Sequence, residues 1–553
     1  YSPVRHPERA MKRREVVLYQ MKKYNYLTEE EYEKYSKIPF DRKKYRVQDQ
    51  NVGLATYFRQ YLREYMDDWC SKHKKEDGSN YNLYKDGLKI YTTINSRMQR
   101  YAEEAVKEHL SKDIQPEFFK QWKGIKNAPF DIQFNNDDDN VIKDKDYYKK
   151  HNEERGSVPE IIKNIMESAK KRSERYINLK KNNATEEEII QIFNTPVRMK
   201  VFTWHGDRDT VMTPMDSIRY YKYYLLAGLI SIESQTGYVR AYVGGIDYRY
   251  FKYDHVVKSK RQVGSTFKPF VYALAMQEGE FSPCSKVPNT PVSFDLYGGQ
   301  KWTPRNSEKD REGEMVTLKW ALANSVNYVS AYLMKRYSPL AVVKLAQKMG
   351  VTSPIEPVYS ICLGTPELTL YELTGAYNTF VNKGQWIEPI MITRIEDKNR
   401  RVLETFIPKR VEAMSEETAF LMIHLMRGVV ESGTGARLRF MYNINNPVAG
   451  KTGTTQNNSD GWFIGLTPTL STGVWVGAED RSVHFKNTFY GQGANTALPI
   501  WAYYMKKVYK DKSLKVSQGE FESLSHEPNV ELNCKEFESK KHKNSDRFDN
   551  ENF

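Results

Sequence analysis

The chain has 553 residues, 39% hydrophobic and 28% charged, with 84 Lys and Arg against 70 Asp and Glu for a formal charge of +14. That length suggests three or four domains at roughly 100–200 residues each. No apolar run approaches the ~18 residues of a membrane-spanning helix, nothing at Tyr1 resembles a signal peptide, and dispersed Gly and Pro exclude collagen-like and low-complexity classes. The basic surplus suits an anionic partner or simply a solvated surface. No basic-aromatic module marks a nucleic-acid binder.

In chain order, Glu8 to Tyr24 reads as a helix with Ala10, Val17, Leu18 and Met21 at helical spacing. Thr28 and Glu31 form a capping box that opens a second helix. Leu88 to Ile94 alternates like a strand, and Asn95 offers an N-cap to a helix through Ala102, Ala105 and Val106. Residues 134–156 are nearly devoid of apolar side chains and read as a solvated insertion, followed by a Lys-rich helical stretch to about Phe193. From about 225 the texture changes: Leu229 to Val243 reads as two strands around a Gly turn, and helices alternate with loops from 265 to about 430. Three short strands follow at 449–455, 461–466 and 473–479. Strands at both ends with helices between them predict an α+β domain, one antiparallel sheet plus a helical lobe. Beyond 511 the chain is polar and reads as a disordered tail.

Three Ser-x-x-Lys patterns occur: Ser71/Lys74, Ser168/Lys171 and Ser265/Lys268. The first two lie in charged, Gly-poor sequence and read as chance. The third follows Gly264, which lets the backbone turn sharply into a helix with an apolar stripe of Phe267, Phe270, Val271 and Leu274. The i, i+3 offset puts Ser265 and Lys268 on one face of the first turn, where the helix N-terminus favours developing negative charge. Pro269 cannot donate to the Ser265 carbonyl, so distortion of that turn is expected.

Thr317 can cap a short helix that delivers Ser325 and Asn327 at its C-terminal end. Farther on, Ala449 to Thr455 reads as a strand bearing a cation, Lys451, with the hydroxyls of Thr452 and Thr454. Gly453 between them permits close approach of a ligand backbone. The four cysteines, Cys70, Cys284, Cys362 and Cys534, contain no Cys-x-x-Cys and define neither a zinc module nor a disulfide framework. None of the ten histidines stands in a motif.

Ser-x-x-Lys, then Ser-x-Asn, then Lys-Thr-Gly, in that order, resembles the signature of penicillin-binding proteins and serine β-lactamases, with Val326 where that pattern has Asp. The chain looks like a class A penicillin-binding protein, a bifunctional peptidoglycan synthase. Trp302-Thr-Pro-Arg-Asn306, the stretch from Leu363 to Gly384, Gly433-Thr-Gly435 and Asp460 to Gly465 are similar to further segments of that family. Pro7, Ala10, Arg13, Arg14, Val17, Leu18 and Met21, with Leu27 to Tyr32, resemble the end of its glycosyltransferase domain, and Tyr91 to Gln99 its interdomain linker.

The resemblance implies a five-stranded antiparallel sheet with helices on both faces plus a helical lobe. It implies a glycosyltransferase remnant at 1–50, a linker region at 51–224, a transpeptidase domain at 225–510 and a polar tail at 511–553. The opening in mid-pattern is that of a piece of a longer protein, with the glycosyltransferase glutamates and the membrane anchor upstream. The implied setting is the extracytoplasmic (periplasmic) face of the cytoplasmic membrane. Implied partners are peptidoglycan stem peptides ending in D-Ala-D-Ala, β-lactams and the membrane through that anchor; no nucleic acid, metal or organic cofactor is expected. Wall-synthesis protein partners are not identified.

A serine hydroxyl needs a base, and Lys268 serves only when burial and a second cation, Lys451, hold its amine neutral. In the implied mechanism Ser265 attacks, Lys268 takes its proton, Ser325 relays it to the leaving group and Lys451 tunes the network. Asn327 orients the substrate amide, Thr452 and Thr454 bind the terminal carboxylate beside Gly453, and the backbone N–H groups of Ser265 and Thr454 form the oxyanion hole. Alternatives are a D,D-carboxypeptidase or β-lactamase, which use water as the acceptor, and a β-lactam sensor that signals without synthesising.

Overall fold

The computed structural model of the chain describes residues 6–39, 51–132, 157–296, 299, 301–526, 528 and 530–534, in two units divided after Gly53. In the first unit, helices Pro7–Lys23 and Glu29–Lys37 form a hairpin, and Thr28 and Glu31 make the expected capping box. Of the apolar stripe only Ala10 is buried, while Val17 and Met21 are exposed, because two short helices offer too little surface to cover it.

The second unit is built on a five-stranded sheet: β1 (Leu226–Glu233), β2 (Val239–Val243), β3 (Ala449–Thr454), β4 (Asp460–Leu466) and β5 (Leu470–Gly477). Its spatial order is β3-β4-β5-β1-β2 and every neighbouring pair is antiparallel. Successive side chains of a strand point to opposite faces, and here both faces are covered, so β1 is buried along nearly its whole length, whereas β3 buries Lys451 and Thr452 among its small residues. Leu226, Ile230 and Ile232 of β1 enter one core, and Ala227 and Leu229 enter the other.

Helices supply both covers. On one face lie α1 (Lys268–Gln277), α2 (Leu318–Ala323), α3 (Asn327–Arg336), α4 (Leu370–Val381) and α5 (Glu416–Glu431). On the other lie α6 (Leu498–Lys510) and the helix Ser96–His109, whose Asn95 cap accepts from Arg97 and Met98 N–H at 3.0 and 3.2 Å. The expected α+β architecture, with its five strands and helical lobe, is the one observed. β5 starts three residues earlier than its expected 473–479. The turn closes tightly, Thr467 N–H donating to Leu470 O at 2.8 Å and Leu470 N–H to Thr467 Oγ1 at 3.0 Å, so pairing begins at once.

The insertion at 134–156 and residues 535–553 lie outside the described residues. The first part of the tail departs from the disordered reading: Phe521, Val530 and Leu532 rest against the core, and Cys534 is disulfide-bonded to Cys284. Local polarity hides this because the tether is a single bond across 250 residues of sequence.

Candidate active site

The turn that carries Ser265 is held by backbone on both sides. Gly264 has φ +54°, and a Cβ there would lie 2.7 Å from the Thr454 carbonyl oxygen. A Cβ on Gly364, φ +86°, would lie 1.7 Å from the Gly264 carbonyl oxygen. Only glycines fit this three-way contact among the turn, β3 and the 364 loop. The expected distortion takes the form of a 3-10 turn over Gly264–Phe267, with Lys268 N–H donating to Ser265 O before α1 begins.

Gly453 permits a close approach, and its neighbour belongs to this chain: a Cβ there would meet Thr266 Cγ2 at 2.8 Å and Val263 O at 2.9 Å. β3 is an edge strand, so its side chains border the helical lobe without another strand intervening. Lys451 projects from it, fully buried.

Thr317 caps α2 as expected, its Oγ1 accepting from Trp320 N–H at 3.2 Å. The chain then turns through Ser325 at φ +58°, a conformation unfavourable for a side-chain-bearing residue, and enters α3 at Asn327. Here the three motifs converge. Lys451 Nζ donates to Ser325 Oγ at 2.9 Å and to Thr452 O at 3.1 Å. Lys268 Nζ lies 3.3 Å from Ser325 Oγ, donates to Asn327 Oδ1 at 2.7 Å and also donates to the Ser325 carbonyl oxygen.

Both amines are fully buried, which penalises their charged forms. Burial brings Lys268 down to about 7. Lys451 is held well below its ordinary value by burial and then by the Lys268 charge. Burial is therefore what lowers Lys268, and not, as expected, the cation of Lys451, which is itself lowered by burial and by the Lys268 charge.

Ser265 is half-buried, and its hydroxyl makes no hydrogen bond among the described residues. The Ser265–Lys268 contact expected from their spacing is thus not made. The amine turns instead to acceptors from Ser325 and Asn327, which satisfy a buried polar group. Thr454 Oγ1 accepts from Gly493 N–H at 3.0 Å, and the Thr452 and Thr434 hydroxyls are 2.6 Å apart.

Two supporting residues carry no chemical motif of their own. Asn306 Oδ1 accepts from Asn327 and Tyr328 N–H at 2.9 and 3.0 Å and so caps α3. Thr434 joins α5 to β3. The signal for both is their place in the Trp302–Asn306 and Gly433–Gly435 stretches.

Residues 228–492 match the model of the penicillin binding protein transpeptidase domain, and residues 143–225 that of the penicillin-binding protein middle domain. The second match covers the later part of the linker region expected at 51–224. Penicillin-binding protein 1A of Aquifex aeolicus is 31% identical over 92% of this chain and 64% of its own length. Penicillin-binding protein 1A of Neisseria meningitidis is 26% identical over 93% of this chain and 62% of its own. The chain thus spans less than two thirds of these relatives. The crystal structure of penicillin-binding protein 1A from Haemophilus influenzae superposes with a TM-score of 0.60 over 95% of this chain and 79% of that one, at 20% identity, a likeness of fold. Through these matches the chain is a homologue of class A penicillin-binding proteins and carries a penicillin binding protein transpeptidase domain at 228–492.

Proposed function

We propose that residues 225–510 form a D,D-transpeptidase that cross-links peptidoglycan stem peptides through an acyl-enzyme on Ser265, and that β-lactams acylate the same hydroxyl. One observation carries the reading: two fully buried amines from distant motifs meet at Ser325 Oγ, at 3.3 and 2.9 Å. Burial supplies the neutral amine that a serine nucleophile requires.

A neutral amine has two N–H donors and one lone pair. In the neutral amine the donors of Lys268 go to the Ser325 carbonyl and Asn327 Oδ1, and its lone pair takes the Ser265 proton by leaving the 3.3 Å contact with Ser325 Oγ as substrate binds. As that proton moves to Lys268, Ser265 Oγ bonds to the carbonyl carbon of the penultimate D-alanine. The oxyanion is met by the N–H groups of Ser265 and Thr454, each such donor worth ~2.7–4 kcal/mol. The short approach of Gly264 to Thr454 supports that pairing.

On collapse the C–N bond to the terminal D-alanine breaks, and Ser325, fed by Lys268 and Lys451, protonates the departing amine. Asn327 orients the substrate amide, while Thr452 and Thr454, beside Gly453 and Lys451, receive the terminal carboxylate. An amine of a second stem then attacks the ester carbonyl, forms the cross-link and frees Ser265. The Cys284–Cys534 disulfide supports an oxidising, extracytoplasmic setting.

Incubation with donor and acceptor stem peptides tests the reading. Cross-linked dimer is expected; trimmed donor alone would assign the acceptor role to water. Ser265→Ala is expected to abolish covalent labelling by fluorescent penicillin, and retained labelling would refute the nucleophile.

A further inference from the structure

Past α6 the chain stays on the protein surface as a strap along α5. Asn446 Nδ2 donates to Gln518 Oε1 at 3.1 Å, Glu520 pairs with Arg427 at 3.0 Å and Glu522 pairs with Lys383 at 3.0 Å. Phe521 and Leu524 line a groove with Phe420 and Ile423 of α5. The Leu532 carbonyl oxygen lies 3.1 Å from His424 Nε2, and two residues later Cys534 is bonded to Cys284 with their Cα atoms 4.9 Å apart. Exposed ion pairs hold a surface strap weakly. Its firmer ties are the apolar contacts of Phe521, Val530 and Leu532 with the core and the covalent bond at Cys534.

What it is tethered to leads to the site. Cys284 is fully buried in a loop whose Ser285 and Pro283 carbonyls accept from Leu318 N–H at 3.1 Å and Lys319 N–H at 2.9 Å, the first two residues of α2. Lys319 Nζ lies 3.1 Å from the same His424 Nε2 that meets the strap. At the other end of this six-residue helix, Ala323 O accepts from Thr434 N–H at 3.0 Å, and Ser325 meets both site lysines. One short helix thus separates the disulfide loop from the hydroxyl at which the two amines meet.

We propose that Cys284–Cys534 is a redox clasp on the strap, and that closing it fixes α2 so that Ser325 stands between Lys268 and Lys451. Opening it frees residues 511–534, loosens the loop that anchors α2 and slows acylation of Ser265. Closure proceeds by exchange with a disulfide-bearing oxidant. The thiolate of Cys534, the less buried of the two, attacks an oxidant sulfur, giving a mixed disulfide and expelling one oxidant thiol. The Cys284 thiolate then attacks Cys534 Sγ and expels the second. Two protons and two electrons leave the cysteine pair, and the oxidant is reduced to its dithiol.

The activity readout rests on the transpeptidase reading; the strap readout does not. The test compares the full chain air-oxidised with the chain reduced by dithiothreitol, freed of reductant and kept anaerobic. It measures the rate of fluorescent-penicillin labelling and tryptic cleavage after Lys512 and Lys515. Reduction is expected to speed cleavage at least tenfold and slow labelling at least fivefold; Cys534→Ser should reproduce both and ignore the reductant. If that variant does not fold, graded reduction of the wild type decides. Labelling rates within twofold of each other in the two states overturn the proposal, as does a strap equally protected in both. An oxidised wild type that takes no label contradicts the functional reading and the gating half of the proposal, and strap release then decides the clasp.

Discussion

A buried lysine that donates to two carbonyl-type acceptors has committed the hydrogens of a neutral amine, and its remaining lone pair defines a direction for a proton to arrive. On the proposed mechanism that is the condition of Lys268, with Ser325 O and Asn327 Oδ1 as acceptors and Ser325 Oγ 3.3 Å away. Lys451 completes the arrangement by donating to Ser325 Oγ. The hydroxyl is therefore polarised by one amine and near enough to the other to exchange a proton. Ser265 is kept beside this network by backbone contact, with Gly364 the most crowded point. Gly364→Ala adds a Cβ 1.7 Å from the Gly264 carbonyl oxygen at φ +86°, combining overpacking with left-handed strain. A loss of about 3 kcal/mol is expected, measured by denaturant unfolding, together with slower penicillin acylation. Wild-type stability in this variant would show that the contact does not constrain the turn.

Among the elements, α4 shows how the lobe behind the site is pinned. Glu372 caps its own helix start and accepts from Thr352 and Ser353, through both N–H and hydroxyl, and likewise from Thr369. Burial acts to raise its pKa, but these hydrogen bonds outweigh it and bring the carboxyl down to about 2. A carboxyl lowered on folding binds fewer protons in the native state. Its stabilisation is complete above the unfolded value of about 4.3 and is lost as pH falls toward 2. Glu372→Gln is therefore expected to lower Tm at pH 7 and to flatten its decline between pH 5 and pH 3. An unchanged pH slope would contradict the assignment.

The sheet strands are legible because turn residues punctuate apolar runs, and the caps at Thr28, Asn95 and Thr317 are legible because their hydrogen bonds are local. The start of β5 is less so, since a Thr467–Leu470 turn can close wherever a hydroxyl meets a backbone N–H. At the site, the motif residues are legible one by one. Their hydrogen-bond partners are not: spacing alone pairs Lys268 with Ser265, whereas burial sends its amine to Ser325 and Asn327. The tie between Cys284 and Cys534 has no local signature, because each cysteine sits alone in its own segment.

Taken as a whole molecule, the second unit is a sheet with two cores, and its edge strand β3 carries Lys451 to Ser325. The fold brings that edge against α1 and the end of α2, from segments far apart in the chain. The convergence of two amines on Ser325 Oγ is therefore a property of the complete second unit. On the proposed mechanism it also sets the sign of the pH response: below about 7 a protonated Lys268 could not accept the Ser265 proton, and above it the base would be free. The most direct measurement is the rate of penicillin acylation from pH 5.5 to 9, with the adduct located by peptide mass mapping at each pH. A single adduct on Ser265 is expected, its rate of formation rising with a midpoint near 7; an adduct on another residue, or a rate independent of pH across that range, would contradict Lys268 as the base and Ser265 as the nucleophile.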